Sequence, residues 1–142
     1  MRALMGFTRR WCAVLALLSL MAVACSTVAP TKATNPEPFY GTWVGSWRSQ
    51  LNPASYGDLQ EVVITPDVEN RPQGIRFTAK LTNAVVPWFA ATGVFLDGAL
   101  AFTTGGGSTL QFMLHGQDRI EATYYNPNNR DSGTWTLKRP PR

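Results

Sequence analysis

The stretch Phe39–Arg48 (FYGTWVGSWR) decides the fold of this 142-residue chain. Apolar and polar residues alternate through it, so Trp43 and Trp47 share one face of a predicted strand. A similar phrase, Ser132–Arg139 (SGTWTLKR), lies near the other end of the chain. Matching Gly-Thr-Trp phrases at both ends predict a sheet whose first and last strands pair with each other.

Period-2 alternation continues between the two phrases, and turn-forming Gly, Pro, Asn and Asp residues interrupt it. The sequence predicts eight strands, over residues 40–48, 59–65, 75–81, 88–96, 100–103, 110–115, 120–125 and 134–139. The even number of strands and the short connections favour an all-β, antiparallel up-and-down barrel, because closure removes exposed sheet edges. We expect one folded domain, over residues 39–142.

The alternation predicts a crowded barrel interior. Six aromatic residues take inward positions: Trp43, Trp47, Phe77, Phe102, Phe112 and Trp135. A barrel of eight strands is only just wide enough to be filled by its own side chains, so this pattern argues against a large cavity.

The first 24 residues have the pattern of a secretory signal. Arginines at positions 2, 9 and 10 precede an apolar run over residues 11–24, which is too short to span a bilayer comfortably. Ala22–Ala24 and the following Cys25 resemble a bacterial lipobox, which implies acylation of Cys25. The alternative is ordinary cleavage that leaves a free thiol at the new N-terminus.

Residues 25–38 are small, polar and rich in proline, and they predict a flexible tether between the lipidated Cys25 and the barrel. Ser26, by resemblance to Gram-negative lipoproteins, implies sorting to the outer membrane, with the barrel facing the periplasm.

The basic charge of the chain comes mostly from the predicted signal. The chain has 13 Lys and Arg against 9 Asp and Glu, and removal of the three signal arginines leaves 10 against 9. A net charge near +1 gives no support for nucleic-acid binding, which needs a basic patch on the folded domain.

The connections predict which end of the barrel is its mouth. The first, third, fifth and seventh connections, with about ten, six, four and seven residues, lie at one end, and those at the other end have about six, two and three. Because longer loops carry function more often, the first set marks the mouth. Five residues there are candidates for binding a ligand or partner: Tyr56, Trp88, Phe89, Asn128 and Arg130. Either Trp88 or Phe89 is alternatively a core plug.

Gly41-Thr42-Trp43 in the first strand and Arg139 at the end of the last resemble the signature of the calycin barrels, which include lipocalins. The resemblance implies that Trp43 packs against Arg139 and closes one end of the barrel. It covers residues 40–139 by architecture but only about four residues by motif. The implied class is a small bacterial lipoprotein with a lipocalin-like barrel.

The pattern offers little for catalysis. The single histidine, His115, lies beside a turn at the end opposite the mouth, and the carboxylates are scattered over outward positions and turns. We therefore expect no enzyme, no metal and no cofactor. The expected function is binding of a small apolar molecule or an envelope component by a monomer. The alternative is a protein-interaction module, such as a lysozyme or protease inhibitor.

The predicted anchor gives the first test. Cys25→Ser removes the acylated thiol, so we expect the variant to leave the membrane fraction and become soluble without detergent. Fractionation of cells followed by immunoblotting measures this. Retention of the variant in the membrane fraction contradicts the anchor.

Overall fold

The structure, a computed structural model, describes residues 32–69 and 73–141. The predicted signal segment and Cys25 lie outside the described residues, so their roles stay predictions. In the described residues, no helix is long and apolar enough to cross a membrane.

The described chain forms a closed barrel of eight strands in sequence order, and each strand is antiparallel to its neighbours. The strands are β1 (Gly41–Ser49), β2 (Tyr56–Pro66), β3 (Ile75–Leu81), β4 (Trp88–Leu96), β5 (Ala99–Thr104), β6 (Thr109–His115), β7 (Arg119–Asn126) and β8 (Asp131–Lys138). A short 3₁₀ helix, Glu37–Phe39, precedes β1. The predicted all-β up-and-down barrel is confirmed.

Pairing of β1 with β8 closes the barrel. The two strands that carry the Gly-Thr-Trp phrases pair at this seam, where Trp47 is directly opposite Trp135. The other edge of β1 pairs with β2, and the register of this pairing shifts between Trp43 and Gly45. Every strand therefore has two hydrogen-bonded neighbours, and no sheet edge is left open.

The inward residues that the alternation predicts are buried. All six predicted aromatics are in the core, with aliphatic residues of β2 to β8 around them. In β2 the alternation of inward and outward residues is interrupted. Leu59 and Val62 are both buried although they are three residues apart. A register shift between Leu59 and Glu61 accounts for this, because a bulge moves the following residues to the opposite face.

Three of the seven loops have a different length in the structure from the length that the sequence predicted. At the mouth, the loops that follow β1, β3, β5 and β7 have six, six, four and four residues, and the opposite end, the base, has loops of eight, two and three residues. The first loop is shorter than predicted because β2 begins at Tyr56 rather than Leu59. The longest connection, β2–β3, lies at the base, so loop length does not distinguish the mouth.

The base is closed by the segment that enters β1. Phe39 is completely buried, and its ring lies 6.3 Å from that of Phe95 in an edge-to-face arrangement. The Trp43 indole N–H donates to the carbonyl of Phe39 at 2.7 Å. Farther out, Ala33 is buried beside the β4–β5 turn at Gly98. This segment, residues 32–40, is called the strap below.

The strap differs from the predicted tether, which extends to residue 38. Its residues contact the barrel as early as Lys32 and Ala33, and Pro38 accepts a hydrogen bond from Arg139. The physical reason is that Ala33 is buried against the barrel and that Arg139 binds the carbonyl of Pro38, so both ends of residues 33–38 are held.

Arg139 holds the strap to the end of the barrel. Its guanidinium donates to the carbonyls of Tyr40 at 2.8 Å and Pro38 at 2.9 Å. It also lies over Trp43, with the guanidinium carbon 3.7 Å from the ring centroid. Burial lowers the pKa of Arg139 from its usual value. The contact between Trp43 and Arg139 that the resemblance implies is therefore present.

Gly41 makes room for this contact. Its φ of +111° lies in a region that side chains rarely adopt, and a Cβ there would come within 2.8 Å of the Arg139 guanidinium. The Gly-x-Trp pattern thus has a steric reason at Gly41 and a stacking reason at Trp43.

Arg139→Ala removes two hydrogen bonds and the contact with Trp43, so we expect a loss of about 1–3 kcal/mol in the free energy of unfolding. Urea denaturation measures this difference. The control is Lys138→Ala, an exposed neighbour on the outer face, for which we expect a change within about 0.5 kcal/mol. Equal stability of the two variants would contradict the role of Arg139.

Candidate functional site at the mouth

The interior below the mouth is filled by aromatic rings. The Phe77 ring lies 4.5 Å from Phe102, 5.4 Å from Phe112 and 6.3 Å from Trp135, measured between centroids. These are distances of direct ring packing, mostly edge-to-face. An apolar ligand would have to displace this cluster to enter the barrel.

Two grooves of the described surface that could accept a small molecule lie outside the barrel. One, of about 530 Å³, runs over β1 and β8 past Ser46, Arg119 and Lys138. Another, of about 380 Å³, lies over β3–β5 between Arg76 and Thr103. Both are open to solvent, and most of their lining residues are threonine, alanine or charged residues rather than an apolar cage.

Trp88 and Phe89 take opposite faces of β4. Phe89 points inward and is half-buried, with its ring 5.6 Å from Phe77 and 5.9 Å from Trp135. Trp88 points outward, opposite Lys80 of β3, and 54% of it is exposed. Of the two residues predicted for the mouth, Phe89 is therefore part of the core plug and Trp88 is available for contact.

Tyr56 lies in a strand rather than in the predicted loop. It is the first residue of β2, points outward and is 57% exposed. Its cross-strand partner in β1 is Arg48, whose guanidinium carbon is 5.8 Å from the Tyr56 ring centroid. This cation–π contact holds the ring against the outer wall while leaving the rest of it exposed.

The β3–β4 loop, residues 82–87, brings further apolar side chains beside these aromatics. Val85 and Val86 are exposed on it, and the Asn83 side chain donates to the carbonyl of Tyr56 at 3.4 Å. The loop therefore lies next to Tyr56 and leads directly into Trp88. Tyr56, Val85, Val86 and Trp88 form a surface that we call the mouth patch.

Asn128 and Arg130 lie in a different sector of the mouth. Both are exposed in the β7–β8 loop, where the Asn128 side chain donates to the carbonyl of Gly106 at 3.3 Å. Arg130 has a positive φ of 56°, which fits its place in a tight turn. The structure thus brings Tyr56 and Trp88 to one sector but does not bring Asn128 or Arg130 to them.

A polar network that the sequence analysis missed joins the strands at this second sector. The Asp131 carboxylate accepts from the Ser49 hydroxyl at 2.6 Å and from the Tyr124 hydroxyl at 2.9 Å. The Ser49 hydroxyl in turn accepts from the backbone N–H of Asn52 at 3.0 Å. Ser49 is buried, so these bonds satisfy polar groups that cannot reach water. The available signal was the inward register of Ser49, which shares a face with Trp47.

The network shifts the ionisation of Tyr124. Burial, the hydrogen bond to Asp131 and the negative charge of that carboxylate raise the pKa of Tyr124 to about 12, against a smaller opposing effect of Ser49. Because its pKa is raised, the Tyr124 hydroxyl keeps its proton near neutral pH and donates a hydrogen bond to the carboxylate. The group is therefore not a base under these conditions. Its arrangement is that of a structural latch.

His115 is separated from the mouth. It ends β6 at the base, and its Nε2 lies 3.3 Å from a carboxylate oxygen of Glu121. Across residues 32–69 and 73–141, no three His, Cys, Asp or Glu side chains are grouped so that they could hold a metal ion.

Comparisons with known proteins bear on the fold alone. No protein-family model matches the chain, and no curated protein matches it. Among solved structures, the chain is similar to a redesigned β-barrel, with a TM-score of 0.54 and 14% sequence identity over 74% of this chain and 94% of the other. This likeness agrees with the barrel architecture and shows the fold alone.

The Tyr124 latch gives a prediction about pH. Because the folded pKa of about 12 exceeds the unfolded value near 10, the protonated hydroxyl stabilises the fold below pH 10, and this contribution disappears as pH rises toward 12. Tyr124→Phe should be less stable than the wild type at pH 8, and the difference should narrow between pH 10 and pH 12. Urea denaturation at a series of pH values measures it; a constant difference would contradict the latch.

Proposed function

We propose that this protein is an envelope-anchored, non-enzymatic interaction module that binds a protein partner through the mouth patch. The observation that carries the proposal is the exposure of Trp88 and Tyr56 on the outside of a barrel whose interior is filled. A periplasmic hydrolase, such as a lysozyme or a protease, is the kind of partner we propose.

The composition of the mouth patch supports a protein partner. Tyrosine and tryptophan are enriched where binding energy concentrates, because they bury a large area at a low entropic cost. Two valines extend the patch, and Arg48 supplies a charge at its edge. An apolar centre with a charged rim is the usual arrangement in protein interfaces.

Transport of a small apolar molecule has weaker support. Pockets for such ligands are enclosed and measure about 300 Å³ or more. Here the Phe77 cluster occupies the space in which a lipocalin-like barrel would hold its ligand, and the open grooves lie on the outer wall. The ligand hypothesis, which is the first expectation from the sequence, therefore becomes the second candidate and is restricted to the outer grooves.

The anchor that we propose is the acylated Cys25 of an outer-membrane lipoprotein with a lipocalin-like barrel that faces the periplasm. The signal-like residues 1–24 support the export, and the Trp43–Arg139 contact supports the lipocalin-like class. The strap reaches the barrel at its base, so this anchor leaves the mouth pointing away from the membrane. The protein acts as a monomer and binds no nucleic acid.

We expect Trp88→Ser combined with Tyr56→Ser to lower recovery of the partner at least about tenfold, which corresponds to 1.4 kcal/mol of lost binding. Affinity purification from host envelopes with quantitative mass spectrometry measures recovery. The control is Leu96→Ser, since Leu96 is 62% exposed at the base of the same strand as Trp88. Recovery of the same proteins by wild type and double variant would contradict the proposal.

Native mass spectrometry of the same wild-type preparation distinguishes a small apolar ligand from a protein partner. A retained mass of a few hundred daltons, bound without any protein, would favour a small apolar ligand. We expect the mass of the acylated chain alone or of its complex with a protein.

A further inference from the structure

The β3–β4 loop projects one side chain entirely beyond the barrel. Val85 at its tip is fully exposed, with a relative exposure of 102%, so it makes almost no contact with its own chain. Val86 and Trp88 follow it at about half exposure, whereas Ala84 on the other side packs against the core. The tip of the loop is therefore a convex apolar point. The residues with which the loop leaves β3, called its foot below, pack against the barrel.

Hydrogen bonds hold the foot of this loop in place. The carbonyl of Thr82 accepts from the Trp47 indole N–H at 3.0 Å, and the Thr82 hydroxyl accepts from the backbone N–H of Asp58 at 2.7 Å. The Thr82 N–H donates back to the carbonyl of Asp58 at 2.9 Å. At the top of the ladder, the Leu81 N–H donates to the carbonyl of Pro87 at 2.8 Å. Both ends of the loop are thus fixed.

Gly57 is needed for this arrangement. A Cβ at position 57 would lie 2.1 Å from the Thr82 carbonyl oxygen and 2.7 Å from the Trp47 indole nitrogen. The absence of a side chain lets the loop foot approach β2 closely enough for the bonds to Asp58. A loop that is fixed before binding loses less conformational entropy when it binds, so it can contribute more of its contact energy to affinity.

The chemistry of the tip specifies its counterpart. The chain carries no charged residue from Leu81 to Leu96, and Pro87 further restricts the loop backbone. A convex, uncharged and branched aliphatic tip is complementary to a concave apolar pocket that admits an isopropyl group. Exposed Tyr56, whose carbonyl accepts from Asn83 of the loop, and exposed Trp88, which directly follows the loop, would contact the rim of such a pocket.

A bilayer is the other apolar environment that could receive the tip. The position of the strap favours a protein instead. The chain enters the barrel at the base through Lys32 and Ala33, whereas the loop lies at the opposite end of β4. An anchor at Cys25, seven residues before Lys32, would hold the base near the membrane within about 25 Å and direct the loop away from it.

We propose that the β3–β4 loop inserts Val85 into a concave apolar pocket of a folded protein partner, with Trp88 and Tyr56 packed on the pocket rim. The inference rests on the proposed function and adds to it the inserting residue and the shape of the partner's site. In a hydrolase, a cleft with a small apolar subsite has this shape.

Site-specific photo-crosslinking in the host tests the insertion. Val85 is replaced by a diazirine-bearing aliphatic amino acid in the full-length, anchored chain, and Leu96 is replaced in the same way as the matched control. Irradiation should join position 85 to one discrete protein, and Trp88→Ser in the same chain should abolish the adduct. Position 96 should give no such adduct. Adducts of position 85 with phospholipid, or no protein adduct at all, would overturn the insertion.

Two further substitutions test the chemistry of the pocket with the protein that is cross-linked. Val85→Asp places a charge in the apolar site, so binding should fall at least about tenfold, while Val85→Ile should bind within about twofold of wild type. Both changes are at a fully exposed position, so neither should alter stability. If Val85→Asp binds normally but Trp88→Ser does not, the insertion fails and the proposed function stands. If neither substitution weakens binding, the proposed function fails as well.

Discussion

The pairing of β1 with β8 is the contact on which the structure depends. It joins residues that are far apart in the chain, so that Trp47 lies opposite Trp135, and it fixes the circumference of the barrel. A barrel of eight strands has a narrow interior, which side chains alone can fill. With Phe77 at the centre of a ring cluster, this interior becomes the hydrophobic core of the domain.

A filled core leaves function to the outside, and the two ends of the barrel differ in what they offer. At the base, Phe39 of the strap is buried and Arg139 contacts both the strap and Trp43, so the chain itself covers this end of the core, although Leu96 stays exposed on the outer wall. At the mouth, Val85 and Trp88 remain exposed although burial would be favourable. Apolar groups that the chain does not cover are the natural contacts for another molecule.

The mouth itself has two sectors with different roles. Around β7, β8 and β1, the Asp131 carboxylate links Ser49 and Tyr124, and this polar latch fixes the strand ends. Around β2–β4, Thr82 anchors the foot of a loop whose tip is free of internal contacts. For the binding that we propose, a rigid frame on one side and a fixed apolar projection on the other would limit the entropic cost of association.

The sequence alone determined the barrel. Period-2 alternation, turn residues and the repeated Gly-Thr-Trp phrase predicted the strands, their closure and the buried aromatics, whereas the resemblance to the calycin signature implied the contact of Trp43 with Arg139. Tertiary structure decided what the ends of the strands do. Ser49 and Asp131 are 82 residues apart, and only the closed sheet brings them together. The same holds for the strap, the bulge in β2, the outward turn of Trp88 and the exposure of Val85, because each depends on which distant residues fill the space beside it.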